Sequence, residues 1–123
     1  MIDTRLLGTW QSDLRKTKQA AREWCDLPEA KRKKLNLIFG KLRVRFTRTR
    51  IYREFDGSNS VFESSKSVVR YQVVAKDYHS VAILAPGIFD EDEQEIYHIH
   101  FEGKYHWVWP DLPAFPEYFK RIE

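Results

Sequence analysis

From Lys41 onward the chain alternates apolar and polar residues with a period of two. Leu42, Val44 and Phe46 interleave with Arg43, Arg45 and Thr47, which predicts a strand with one buried face and one strongly basic face. A turn near Thr47 to Arg50 leads into a second strand over 51–55, ended by Asp56-Gly57. Residues 58–66, mostly Ser, Asn, Glu and Lys around Val61-Phe62, read as a loop. Residues 67–76 then read as one strand with Val69, Tyr71 and Val73 on a single face, followed by 79–85 with Val81 and Ile83 inward. Pro86-Gly87 breaks the pattern, and the acidic run Asp90-Glu91-Asp92-Glu93 forms a loop before a strand over 94–102. Gly103-Lys104 turns the chain into a partner strand over 105–109, and prolines at 110, 113 and 116 exclude regular structure until a closing strand at 117–122.

The N-terminal third departs from this rhythm. Residues 7–13 read as a first strand, but Leu14 to Gly40 has no alternation and is rich in Ala, Leu, Lys, Arg and Glu. Two short helices are expected there, at 15–24 and 28–39. Asp26-Leu27-Pro28-Glu29 starts the second, Leu35, Ile38 and Phe39 share one side of it, and Gly40 ends it. The sum is a mainly β chain of one domain, 1–123. Its expected architecture is an eight-stranded antiparallel up-and-down barrel with a helical insertion, 14–40, between strands 1 and 2.

Two short segments sharpen this picture. Leu7-Gly8-Thr9-Trp10 stands near the start and Tyr118-Phe119-Lys120-Arg121-Ile122 near the end. A Gly-x-Trp followed, at the far end, by an aromatic strand carrying an Arg resembles the lipocalin-like (calycin) superfamily. The resemblance implies that Trp10 plugs one end of the barrel while Arg121 lies across its indole, so that any site belongs at the other mouth. It also gives the helical insertion a role as a lid over a cavity.

Composition agrees with a β-rich fold, since four Trp, six Tyr and eight Phe suit strands. No apolar run approaches the length of a membrane span and no signal-like segment precedes the first strand, which predicts a cytoplasmic chain with no membrane partner. The lone Cys25 has no partner for a disulfide and is expected to be a small buried hydrophobe. The net charge is only +3, but residues 1–58 hold 15 Lys or Arg against 7 Asp or Glu, while residues 59–123 hold 6 against 11. That asymmetry marks either a basic binding face or two walls that attract each other between protomers.

The chemistry-bearing segment is the hairpin 97–109. A two-residue turn puts His98, His100, Tyr105, Trp107 and Trp109 on one face and Tyr97, Ile99, Phe101, His106 and Val108 on the other. Either face is apolar enough to be covered, so two readings stand at this level. With the first face inward, His98, His100 and Trp107 orient a ligand by hydrogen bonding and stacking. With the second inward, the His and Trp residues lie under the helices or in a homodimer interface. No third ligand accompanies the two histidines at a recognisable spacing, so neither a metal nor another cofactor is expected. No spacing demands acid–base catalysis by a histidine with Glu54 or Glu102, and the acidic run 90–93 lacks the glycine turn of a calcium loop. The expected function is non-catalytic binding of a small hydrophobic or aromatic molecule. Val44, Phe46, Tyr71, Val73, Ile83, His98, His100 and Trp107 form the expected site, and Trp10 and Arg121 the structural closure. The alternative is an interaction module that uses the basic residues of 31–50, with Lys31 to Lys34 on the second helix, for nucleic acid or a protein partner.

Overall fold

The structure is a computed structural model, and it describes residues 2–20, 26–36, 39–57, 63–87, 92–108 and 116–123. Cys25, Val61-Phe62, Asp90-Glu91, Trp109, Pro110, Pro113, Ile38 and the side chain of Leu35 lie outside the described residues, as do 21–24 of the first expected helix and 37–38 of the second. Among the described residues the chain forms nine strands and two short helices. In order these are Gly8–Ser12 (β1), Leu14–Ala20 (α1), Glu29–Asn36 (α2), Leu42–Phe46 (β2), Arg50–Phe55 (β3), Ser65–Arg70 (β4), Gln72–Lys76 (β5), Ser80–Pro86 (β6), Gln94–Glu102 (β7), Tyr105–Val108 (β8) and Glu117–Arg121 (β9).

All nine strands belong to one antiparallel sheet in the order β4-β3-β2-β1-β9-β8-β7-β6-β5. Each neighbour is also the next strand in sequence except at β1 and β9, where the two ends of the chain meet with Trp10 opposite Arg121. The outermost strands of the sheet, β4 and β5, are joined through the single residue Tyr71, so the sheet curls into a nearly closed barrel. One strand was expected over 67–76. Its alternation does continue through the junction, with Val69, Tyr71 and Val73 all buried. What changes there is the partner: the first half pairs with β3 and the second with β6. Tyr71 holds the change by donating its amide to Thr49 O at 3.1 Å and its hydroxyl to Thr47 O at 2.6 Å.

The core lies inside the barrel, where inward residues of every strand meet. One end is sealed by the chain leading into β1. Leu6 is fully buried, Trp10 Nε1 donates to Leu6 O at 2.9 Å, and the Arg121 guanidinium lies 4.3 Å from the indole centroid while donating to the carbonyls of Leu7 and Arg5. Asp3, also buried, is bound by Arg5, whose hydrogen bonds hold the carboxyl below its usual range. Arg5 further donates to Tyr78 O and Ser80 O, which ties this plug to the β5–β6 turn. Gly8 is required at the entrance to β1, because its φ is +123° and a Cβ would stand 2.6 Å from both Arg121 Nη1 and Glu123 O.

Helix α1 follows β1 directly and packs on β9. Asp13 starts α1 by accepting the Lys16 amide at 2.9 Å, and Thr17, fully buried, accepts the Tyr118 amide at 3.0 Å and so docks α1 on β9. α2 begins one residue after Pro28, and its Glu29 and Lys33 pair across one turn at 3.5 Å on an exposed surface. Phe39, just before Gly40, is buried.

Candidate ligand cavity

Inside the barrel lies a cavity of about 70 Å³. Its walls come from alternate positions of six strands: Leu42, Val44 and Phe46 of β2, Ile51 of β3, Ile83 of β6, Ile99 of β7, Val108 of β8 and Phe119 of β9. Four polar side chains are set into this apolar lining, namely Arg53, Tyr97, His106 and Glu117.

Each of the four has a distinct environment. Arg53 is buried on β3 and donates to Pro86 O at 2.7 Å and Gly87 O at 3.3 Å, which satisfies carbonyls at the end of β6. The Tyr97 ring lies 6.0 Å from that guanidinium. His106 is 2% exposed and packed among rings, with Trp10 at 4.2 Å and Phe119 at 5.0 Å between centroids. Its Nδ1 is enclosed without a hydrogen-bond partner among the described residues. Burial, with the Arg121 charge as a smaller contribution, pushes this imidazole down to about 3, so the ring is neutral at physiological pH. Glu117 accepts a hydrogen bond from the Ser12 hydroxyl, whose oxygen in turn accepts the Gly40 amide at 2.9 Å. Desolvation outweighs that bond and pushes the carboxyl up to about 7. Near neutrality the cavity therefore holds a neutral imidazole, a carboxyl close to half-protonated and a guanidinium already engaged by carbonyls.

Of the residues expected to line a site, Val44, Phe46 and Ile83 face this cavity. Tyr71 and Val73 belong to the same core without lining it. The expected placement of His98, His100 and Trp107 is corrected: they lie on the outer face of the hairpin. Glu102 pairs with Tyr105 around the turn Gly103-Lys104, and Phe101 opposite His106 and Ile99 opposite Val108 point inward. The physical reason is the number of imidazoles. The inward face carries one histidine among Tyr97, Ile99, Phe101 and Val108, whereas the other would have buried two beside Tyr105 and Trp107. Outside, His100 stacks on Trp107 with centroids 3.9 Å apart, His98 follows at 4.2 Å from His100, and its Nε2 is 3.1 Å from Ser80 Oγ. Burial and the neighbouring His98 charge lower the His100 pKa. Lys16 of α1 covers the next rings of this ladder, 5.3 Å from Tyr105 and 5.5 Å from Tyr118.

Arg53, His106 and Glu117 were not expected as site residues, yet their strands carry a signal. Ile51, Arg53 and Phe55 are alternate residues of one strand, as are Glu117, Phe119 and Arg121, so a charge stands where the period demands an inward side chain. Among the described residues no group of three or more His, Cys, Asp or Glu is arranged to hold a metal ion, and no helix is long and apolar enough to cross a membrane. No protein-family model, curated protein or solved structure matches this chain.

Proposed function

We propose that this protein is a lipocalin-like barrel of eight strands, counting β4 and β5 as one bent strand, that binds a small, uncharged, partly apolar molecule in its interior without chemical conversion. The observation that carries the reading is the cavity itself: apolar walls with an enclosed neutral His106 and a Glu117 that burial keeps about half-protonated near neutrality. Small-molecule sites combine apolar walls with a few polar groups in this way. The one permanent cation of the lining, Arg53, is held by the carbonyls of Pro86 and Gly87, to which each terminal nitrogen donates, and this favours an uncharged ligand. Size limits the occupant further. At about 70 Å³ the cavity is roughly half the ~150 Å³ that holds a benzene ring in an engineered protein core, so the enclosed part is a short alcohol, amide or similar group.

The test is a titration of the labelled protein with short-chain alcohols, amides and small phenols, followed by amide and methyl NMR. Saturable shifts at Val44, Ile83, Ile99 and His106, lost in Ile83→Trp while the fold persists, are expected. Shifts confined to His98, His100 and Trp107, or no saturable shift with any compound, would overturn the proposal.

A further inference from the structure

The alternation that sends Leu42, Val44 and Phe46 inward sends Arg43 and Arg45 out, and the same parity exposes Arg50 on β3 and Arg70 on β4. Register arranges them in rows across three strands. Arg43 stands opposite Glu54 and Glu54 opposite Lys66; Arg45 stands opposite Tyr52 and Tyr52 opposite Val68; Arg50 stands directly opposite Arg70. The last pair sets like charges face to face, an arrangement that destabilises a sheet, and the exposed Arg48 adds a third cation from the adjoining turn. The ion pairs among the described residues are Asp3 with Arg5, Glu29 with Lys33 and Glu54 with Lys66, so none of Arg43, Arg45, Arg48, Arg50 or Arg70 is neutralised by one. Arg43 instead donates to Gln11 Oε1 at 3.0 Å, and the Arg45 guanidinium stacks 4.0 Å from the Tyr52 ring centroid. A groove of about 390 Å³ runs over the first two rows between Arg43, Arg45, Tyr52, Lys66 and Val68, with Glu54 and Glu123 as the carboxylates at its side, and Arg48, Arg50 and Arg70 stand beyond its lining.

We propose that this outer face binds the sugar–phosphate backbone of single-stranded nucleic acid. Five guanidiniums outside any ion pair among the described residues, of which Arg43 uses its Nε on Gln11 and Arg45 lies over Tyr52, match phosphate oxygens. Side chains two residues apart on a strand recur at about 6.8 Å, so Arg43 and Arg45 can follow successive phosphates of an extended strand. In the middle row the Arg45 guanidinium stacked on Tyr52, beside Val68, offers a base a planar and apolar seat, the combination that single-strand binding uses. A duplex is disfavoured because the face is a convex barrel wall with no helix or projecting ribbon to fill a groove.

The experiment is fluorescence anisotropy of a labelled oligothymidylate with the full chain over a KCl series. Neutralising up to five phosphates predicts a log–log salt slope of about −3.5. Arg50→Gln with Arg70→Gln should weaken binding at low salt at least about tenfold and reduce the slope by about 1.4. Both sites are exposed, and unchanged tryptophan emission checks that the double variant is folded. Tyr52→Ala should weaken binding with the slope intact, and Lys31→Gln with Lys33→Gln on α2 should leave it unchanged. The proposal is overturned by an absence of saturable binding at low salt, by an Arg50/Arg70 variant that keeps the parental slope, or by equal affinity for a matched duplex or for anionic lipid vesicles.

Discussion

His106 and Glu117 line the same cavity and respond to pH in opposite senses. The folded imidazole titrates near 3 against 6.5 in a free chain, so between those values the unfolded state holds a proton that the folded state refuses. Stability from this group is complete above pH 6.5 and is lost as pH falls. The folded Glu117 carboxyl titrates near 7 against 4.5, so the folded state keeps a proton that the unfolded chain has released. Stability from this group is greatest below pH 4.5 and is lost as pH rises toward 7. Between pH 4.5 and 6.5 the two slopes oppose each other and the wild type changes little on their account. Removing either partner exposes the other. His106→Phe should make stability fall with rising pH across that window, and Glu117→Gln should make it fall with acid, each by at most about 1.4 kcal/mol per pH unit. Urea midpoints of the three proteins at several pH values read this directly, and parallel profiles would refute it.

At the scale of elements, α1 depends on one hydroxyl. Thr17 Oγ1 donates to Asp13 O at 2.8 Å and accepts the Tyr118 amide, so it both closes the first helical turn and fixes the helix on β9. Thr17→Val keeps the shape but leaves the Tyr118 amide buried and unpaired, at a cost of about 1–3 kcal/mol, while Thr17→Ser should recover most of it. Thermal melts of both variants check the order. A polar residue inside a seven-residue helix carries no mark of such a role in sequence, because the partner lies 101 residues away. Strands, by contrast, were legible wherever alternation was strict, as in β2 and β6. The break at Tyr71 was not, since Val69, Tyr71 and Val73 keep their period while the hydrogen-bonding partner changes, and only long-range pairing shows it. The hairpin is intermediate. Turn length fixed which residues share a face, but the choice of inward face rested on desolvation costs that depend on the rest of the barrel. Alternation made the inward positions Val44, Phe46, Tyr71, Val73 and Ile83 legible, but not which of them border the cavity, and Arg53, His106 and Glu117 were missed.

At the scale of the molecule, closure rests on the meeting of β1 and β9. Trp10 is 1% exposed beneath Arg121 and in contact with His106, so its loss opens the plugged end and the core together. Trp10→Ala should cost about 3–5 kcal/mol, measured by chemical denaturation, and should lower stability far more than it lowers any ligand affinity of the variant that remains folded. The order of strands also divides the barrel into two meanders, β1 to β4 and β5 to β9, each built from contacts local in sequence. Among the described residues, only the β1–β9 ladder and the peptide links around Tyr71 hold one to the other along the sheet. Residues 1–70 carry 17 Lys or Arg against 8 Asp or Glu, and residues 71–123 carry 4 against 10. A nick at Tyr71 thus yields two oppositely charged fragments that attract each other in solution and can zip back together along β1 and β9, which makes this junction the natural place to divide the protein into a complementing pair.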